Sequence, residues 1–377
     1  MTGKNLSDTA FIRLLDILKA PTREPLGKLA VRFGFATQAQ VDECLEEQKR
    51  QREGGIAMPI GLIMVNKGYL QLGQLQILLR EQIALSGDEV AIELGTEFPE
   101  EVQAAAKDLE KHFGKFILVN QLGAGGNGIV WKAWQLDVGR WAAVKILHKG
   151  LADERKQALL ESARRASKLS HVNIAEVFEC GSFTGVSYIA SRLAEGSNVG
   201  GRKLPEKEAL RIVRQVACAV EFAHSQGVCH LNLKPQNVFV DSSGRVRVAD
   251  FALEPNIAEP TVVSDSEAFT SVLNYISPEQ AKKEKAGEQS DVYSLGAMLF
   301  EFLTGKPPFE YESRSQILDD IANGRRLMLR DTNPDASKNA ETLVETAMCP
   351  NLQFRYKTVK DFAEDVDRCI KDEPLKA

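Results

Sequence analysis

Apolar positions in the first hundred residues recur at helical spacing and in two copies. Residues 25–48 align without a gap on residues 59–82, so each position in the first copy has a counterpart 34 residues later. Each copy predicts a short helix, a glycine stop and a longer helix. In the first copy, Thr37-x-x-Gln40 is the pattern of a capping box that opens the longer helix. These features predict an all-α repeat module over residues 1–83.

The pattern of apolar residues changes after this module. Residues 84–112 are predicted to be a linker and a connecting helix, which Pro99 opens and Gly114 closes, with Val102, Ala106, Leu109 and Phe113 as its apolar stripe. Short runs that predict strands follow at 116–119, 129–131 and 141–144. Residues 205–224 then carry apolar positions at helical spacing, and Gly227 ends that helix.

Composition and charge give no indication of a nucleic-acid partner, a zinc site or a membrane span. The chain carries 47 Lys+Arg against 52 Asp+Glu, and this small negative net charge gives no reason to expect nucleic acid as a partner. Its 6 cysteines show neither C-x-x-C pairs nor zinc spacing, so we expect reduced thiols. Without a long uninterrupted apolar segment we expect no membrane span and a cytoplasmic location.

A glycine run lies between the first two predicted strands. It reads G-x-G-x-x-G-x-V, with Gly123, Gly125, Gly128 and Val130 at the defining positions. Such glycines let backbone amides approach phosphate groups. A dinucleotide-binding turn would continue into a helix, whereas a strand is predicted here. The sequence Ala-Val-Lys-Ile, which contains Lys145, follows on the next strand.

The segment around residue 230 carries the most specific motif. Residues 230–237 are HLNLKPQN, and residues 250–252 are DFA. Together with the glycine run and the strand lysine, they resemble the catalytic loop and metal-binding strand of a bacterial Ser/Thr protein kinase, H-R-D-L-K-P-x-N followed by D-F-G.

That resemblance implies an α+β, bilobal protein-kinase-like fold with a β-rich N-lobe and a helical C-lobe. We place the kinase-like domain at 113–371, with the N-lobe at 113–192, the C-lobe at 193–371 and a tail at 372–377. It implies ATP and Mg²⁺ as cofactors. The implied nucleotide-binding residues are Gly123, Gly125, Gly128, Val130 and Lys145. The implied metal ligands are Asn237 and Asp250, and Lys234 is the implied catalytic lysine. Arg355 is expected to form an ion pair with Glu279.

Several positions depart from the kinase pattern. Asn232 occupies the position of the catalytic base, and an amide cannot accept the substrate proton. Leu231 replaces the arginine that would receive an activation-loop phosphate. Ser162 occupies the position of the helix glutamate that pairs with the strand lysine, although Glu161 is its neighbour. Val272 replaces a threonine that contacts the catalytic residues.

These losses predict a pseudokinase, that is, a nucleotide-binding signalling or scaffold protein with little phosphotransfer activity. One alternative is a weakly active ATP-dependent Ser/Thr protein kinase, because phosphoryl transfer depends mainly on positioning and electrostatics. Another is a scaffold that does not bind ATP. Whether the chain is an enzyme stays open at this point.

The repeat module resembles the N-terminal domain of type II secretion and type IV pilus ATPases. Members of that family that bind cyclic di-GMP carry an arginine before the Leu-Gly of each copy, whereas this chain carries Pro25 and Pro59. We therefore do not expect cyclic di-GMP to bind, and we expect the module to dock a protein partner. A helical cap packed on the kinase-like domain is the alternative.

Overall fold

The computed structural model describes residues 25–53, 59–71, 74–75, 78–79, 98–136, 138–183, 185–251, 272–310 and 313–376. Two compact units divide the chain. The first holds the residues up to Leu122 with Val130–Val144 and Phe183–Gly185, and the second holds Gly123–Ile129, Lys145–Ser182 and the chain from Val186 onwards.

The repeat module is helical. Its described helices are α1 (Leu26–Arg32), α2 (Gln38–Glu53) and α3 (Ile60–Asn66). The predicted capping box is confirmed, because the Thr37 amide donates to Gln40 Oε1 at 2.9 Å and the Gln40 amide donates to Thr37 Oγ1 at 3.3 Å. Buried side chains from both copies form one core, made of Leu26, Leu29, Ala30, Ala36, Val41, Cys44, Ile63, Met64, Leu70, Leu75, Leu78 and Leu79.

Paired glycines allow the short helix of each copy to pack closely on later residues of the same copy. A Cβ atom on Gly27 would lie 2.6 Å from Val41 Cγ1, and one on Gly61 would lie 2.6 Å from Leu75 Cδ1. These distances are well inside van der Waals contact, so a larger residue would push the packed side chain away. The repeated glycine is therefore a packing requirement that both copies share.

The connecting helix is shorter than the sequence predicts. Helix α4 (Glu100–Ala106) does not continue to Gly114, because a 3₁₀ turn (Leu109–Lys111) and strand β1 (His112–Phe113) follow it. Gly114 adopts a φ of 58° and turns the chain so that Phe113 pairs with Phe116. Leu109 therefore lies in the 3₁₀ turn and Phe113 in a strand, whereas Val102 and Ala106 remain in the helix and pack with Ile117 and Val119.

The predicted strands belong to a six-stranded sheet with the order β1-β2-β3-β4-β6-β5. The strands after β1 are β2 (Phe116–Gly125), β3 (Gly128–Gln135), β4 (Arg140–Leu147), β5 (Val177–Phe183) and β6 (Val186–Arg192), and helix α5 (Asp153–Ala166) lies between β4 and β5. A three-stranded sheet with the order β7-β8-β9 comprises β7 (Ser197–Asn198), β8 (Val238–Val240) and β9 (Val246–Val248).

The rest of the second unit is mainly helical. Its helices are α6 (Glu206–Ser225), α7 (Pro278–Ala281), α8 (Glu288–Thr304), α9 (Arg314–Asn323), α10 (Leu329–Thr332), α11 (Lys338–Ala347) and α12 (Val359–Ile370). Helix α8 is buried on all sides from Ser290 to Leu303, and α6, α10, α11 and α12 pack around it. Gly305 ends it in the left-handed conformation, with a φ of 77°. Sheet followed by helices confirms the predicted α+β class. No helix in the described ranges is long and apolar enough to cross a membrane.

The predicted ion pair between Glu279 and Arg355 is confirmed inside this helical core. Arg355 Nη1 donates to Glu279 Oε1 at 2.8 Å, and the two side chains are 0% and 6% exposed. Ser290 Oγ donates to the same oxygen at 2.7 Å. Burial alone would raise the pKa of Glu279, but the bonds and charge of Arg355 outweigh it, so this pKa lies below its ordinary value.

Candidate active site

The strand lysine and the aspartate of the DFA segment form an ion pair. Lys145, on β4, places Nζ 2.8 Å from Asp250 Oδ2. Desolvation would raise the pKa of Asp250, but the charge and hydrogen bond of Lys145, together with the charge of Lys234, hold it below its ordinary value. Asp250 is therefore a carboxylate at neutral pH, the form that a divalent cation requires.

Lys234 lies close enough to this pair to interact with both members. Burial lowers the pKa of Lys234, the charge of Asp250 raises it, and the charge of Lys145 lowers it again. The net effect is a pKa of Lys234 below its ordinary value. Two amino groups thus interact with one carboxylate, and this excess of cationic over anionic groups suits an anionic ligand better than an isolated ion pair would.

Asn237 supports the loop that contains Asn232. Its Nδ2 donates to the Asn232 carbonyl at 3.0 Å, and its own carbonyl accepts from the Ala249 amide at 2.9 Å. The Asn237 side-chain oxygen is its remaining acceptor, an atom type that Mg²⁺ binds. The structure therefore keeps one amide and one carboxylate suited to a divalent cation at positions 237 and 250.

The loop backbone is anchored by Asp291, a residue that the sequence analysis did not single out. Asp291 Oδ2 accepts from the His230 amide at 2.8 Å, and Oδ1 accepts from the Leu231 amide at 2.7 Å. Gln280 Nε2 also donates to the Leu231 carbonyl, at 3.0 Å. Between these bonds Leu231 adopts a left-handed backbone conformation, with a φ of 58°. An acidic residue in the first turn of α8 is the sequence signal that could have found this anchor.

His230 links the loop to the segment before the DFA motif. Its ring Nε2 lies 3.0 Å from the Ala249 carbonyl, and its ring centroid lies 4.4 Å from that of Phe251. His230 is fully buried, and desolvation lowers its pKa. A neutral, buried imidazole in these contacts braces the loop. Ala252 lies outside the described residues.

The glycine run connects β2 and β3. Gly123 and Gly125 end β2, where a side chain would meet open space, whereas a Cβ atom on Gly128 would lie 2.2 Å from the Ile146 carbonyl oxygen. Only glycine fits at position 128 without moving the backbone of β4. His148, also missed from sequence, places a ring nitrogen 2.9 Å from the Gly125 carbonyl. Val130 lies further along β3, in the first unit.

Helix α5 supplies no acidic partner to Lys145 in the part of the chain that the structure describes. Glu161 is exposed, and Ser162 Oγ accepts from Arg165 Nη2 at 3.0 Å. In those residues the ion pair of Lys145 is with Asp250. Val272 is half-buried against the helical core, and its carbonyl accepts from the Tyr275 amide. The positions predicted to have lost catalytic groups thus hold ordinary structural contacts.

Comparison with known proteins identifies relatives over most of the chain. Residues 116–366 match the family model described as "Protein kinase domain". The serine/threonine-protein kinase PrkC of Bacillus subtilis is 30% identical over 260 residues, which cover 67% of this chain and 40% of PrkC. PknB of Mycobacterium leprae is 29% identical, covering 70% of this chain and 44% of PknB. The chain therefore spans about two fifths of the length of these relatives.

Solved structures agree at the level of the fold. The crystal structure of the Mycobacterium tuberculosis PknI kinase domain superposes with a TM-score of 0.56 at 23% identity, over 68% of this chain and 97% of that domain. This match supports a bilobal architecture of a sheet-containing N-lobe and a helical C-lobe.

Proposed function

Because the chain belongs to the protein kinase domain family, we propose that residues 113–371 bind ATP with Mg²⁺ and transfer phosphate to Ser/Thr hydroxyls at a much reduced rate. The observation that carries this proposal is the Lys145–Asp250 ion pair with Lys234 beside it. Lys145 and the glycine run would hold the phosphates, and Asn237 and Asp250 would hold the cation. The bound cation would neutralise charge on the phosphates.

The relatives favour retained transfer over none. PrkC and PknB are both named serine/threonine-protein kinases, which supports the weakly active kinase better than the pseudokinase. Transfer of a phosphoryl group requires mainly that donor and acceptor be held in line and that charge be compensated. Lys145, the glycine run, Asn237 and Asp250 remain for this positioning and charge compensation. Loss of the one proton acceptor would therefore slow the transfer without abolishing it.

Two features explain why the rate of phosphate transfer would be low. Asn232 replaces the carboxylate that accepts the hydroxyl proton, and its amide cannot do so at any ordinary pH. Lys145 is drawn to Asp250 instead of to a glutamate on α5. A lysine paired with the metal-binding carboxylate competes with the cation for the same oxygen, so nucleotide binding must first separate the pair.

A pseudokinase is the second candidate. In its favour, two catalytic groups are missing together: Asn232 replaces the base, and α5 offers Lys145 only an exposed Glu161 and a hydrogen-bonded Ser162. In that case ATP would stabilise a binding surface and no phosphate would be transferred. Incorporation of labelled γ-phosphate separates the two. Slow incorporation that Asp250→Ala abolishes supports the kinase, and incorporation equal in wild type and Asp250→Ala supports the pseudokinase.

Nucleotide binding is expected to stabilise the protein measurably. Mg-ATP at a hundredfold excess over its Kd should raise the free energy of unfolding by about 2.7 kcal/mol. The effect should shrink in Lys145→Ala and Asp250→Ala, since each removes a group that would contact phosphate or cation. Thermal unfolding with and without Mg-ATP measures it. Lys168→Ala, at an exposed lysine, is the matched control and should respond as the wild type does. A wild-type melting temperature unchanged by millimolar Mg-ATP would leave only the non-binding scaffold.

We further propose that the repeat module docks a protein partner. That the module could act as a separate docking unit is supported by its own buried core, formed by both copies. A fragment that ends near Phe98 is expected to fold alone and to give a cooperative melt by circular dichroism. An unfolded fragment would favour the alternative in which the module is a helical cap packed on the kinase-like domain. Tight binding of cyclic di-GMP to the fragment would contradict the inference drawn from Pro25 and Pro59.

A further inference from the structure

Three potential metal ligands converge at the start of the catalytic loop. His224 lies near the end of α6, Cys229 immediately precedes the loop, and Asp291 lies in the first turn of α8. One ligand atom from each lies within 4.8 Å of the other two. His224 Nε2 and Asp291 Oδ2 are already 2.7 Å apart, with side chains 7% and 0% exposed. This cluster contains none of the residues assigned above to nucleotide or magnesium.

We propose that His224, Cys229 and Asp291 form a site for Zn²⁺. Imidazole nitrogen, thiolate sulfur and carboxylate oxygen are the ligand types that zinc prefers, whereas Mg²⁺ takes oxygen ligands. Zinc bonds of about 2.0–2.3 Å place tetrahedral ligands about 3.3–3.8 Å apart, so the cluster needs to rearrange by about 1 Å. Three protein ligands leave the fourth position for water.

A second carboxylate, that of Glu288, lies near the other ring nitrogen of His224. Glu288 Oε2 lies 3.8 Å from His224 Nδ1, on the ring nitrogen opposite the one that faces Asp291. Zinc-bound histidines commonly present their second nitrogen to such a group, which fixes the ring and its tautomer. A bound Zn²⁺ requires Cys229 as a thiolate, so the thiol proton would be released on binding and binding would strengthen as pH rises.

The site would couple zinc to the catalytic loop. Asp291 Oδ2 also accepts the His230 amide, and Cys229 is covalently joined to His230. Zinc would therefore tie α6, the loop and α8 together at one point. The spacing of cysteines along the chain could not reveal this site, because its ligands come from three separate elements and include only one cysteine.

Titration of the full chain with Co²⁺ and Zn²⁺ tests the proposal. Co²⁺ should produce a thiolate charge-transfer band that Zn²⁺ displaces at one equivalent, and Zn²⁺ should raise the melting temperature. Loss of a ligand should weaken Zn²⁺ binding at least about 100-fold, since even supporting residues contribute 10–100-fold. Calorimetry in buffers of different ionisation enthalpy should show proton release on binding, because the Cys229 thiol must lose its proton.

Two variants separate coordination from folding. Cys229→Ser removes the thiolate from a half-buried position, and His224→Gln removes the imidazole while keeping an N–H that can donate to Asp291. Both should lose the cobalt band and the thermal shift. Cys349→Ser and His171→Gln, which change a cysteine and a histidine outside the cluster, should keep them. Wild-type affinity in Cys229→Ser or His224→Gln, or a wild type without the cobalt band, would overturn the proposal.

Discussion

The triple variant Asn232→Asp/Ser162→Glu/Val272→Thr is expected to transfer phosphate at least about 10³-fold faster than the wild-type chain, because a positioned base alone contributes about 10²–10⁴-fold once its surroundings are in place. Asn232→Asp by itself is expected to gain less than about tenfold. Lys145 would still be paired with Asp250, and α5 would still offer it no carboxylate in the described structure. Groups that act as one unit give strongly non-additive effects, so the repairs should reinforce one another.

Initial rates of γ-phosphate transfer to a generic Ser/Thr substrate, measured at saturating Mg-ATP, test this expectation. Gln236→Glu is the matched control, because it adds a carboxylate to the same loop at a position other than that of the base. It should leave the rate unchanged. Adding Asp250→Ala to the triple variant should return the rate to background. Full activity in Asn232→Asp alone would show that the base is the sole defect and that the α5 position is unimportant.

Removing one partner of the buried Arg355–Glu279 pair is expected to destabilise the protein by about 3–5 kcal/mol, because it leaves a charge without compensation in the helical core. Arg355→Met should show this cost in denaturant unfolding. The double variant Arg355→Met/Glu279→Met should be less destabilised than Arg355→Met, since no buried charge is left unpaired. Lys376→Met, which breaks an exposed pair with Glu364, is the control and should unfold almost as the wild type does. Equal stability of Arg355→Met and wild type would show that the pair does not support the fold.

The same pair sets a dependence on pH. The pKa of Glu279 is below its ordinary value of 4.5 in the folded protein. Its contribution to stability is therefore fully present above pH 4.5 and is lost as pH falls through the lower, folded-state value. Over that acidic range the free energy of unfolding of the wild type should fall relative to that of the double variant. A difference between the two that stays constant down to complete acid unfolding would contradict this assignment.

Features encoded by neighbouring residues were predicted well from sequence. The Thr37–Gln40 capping box and the turn at Gly227 depend on side chains or conformations within a few positions, so their patterns are visible in the chain itself. The family motifs likewise located the α+β class and the Glu279–Arg355 pair.

Features that depend on distant contacts were missed. Helix α4 ends at Ala106 and Phe113 pairs with Phe116 in a strand, a pairing that helical spacing cannot show. Asp291 holds the loop across 60 residues of sequence, and its role follows only from where α8 lies. The tether between His148 and the Gly125 carbonyl is a side-chain contact to backbone, which leaves no repeating pattern in the sequence.

The anchoring of Leu231 bears on how the chain could have lost catalytic groups. Its amide is held by Asp291 and its carbonyl by Gln280, so the left-handed backbone at this position is maintained by residues outside the loop. Side chains at positions 231 and 232 contribute none of these bonds. Side chains exchanged at positions 231 and 232 therefore leave these bonds in place, so the reactivity of the loop can change while its backbone conformation is kept. Selection on reactivity and selection on folding thus act on different residues.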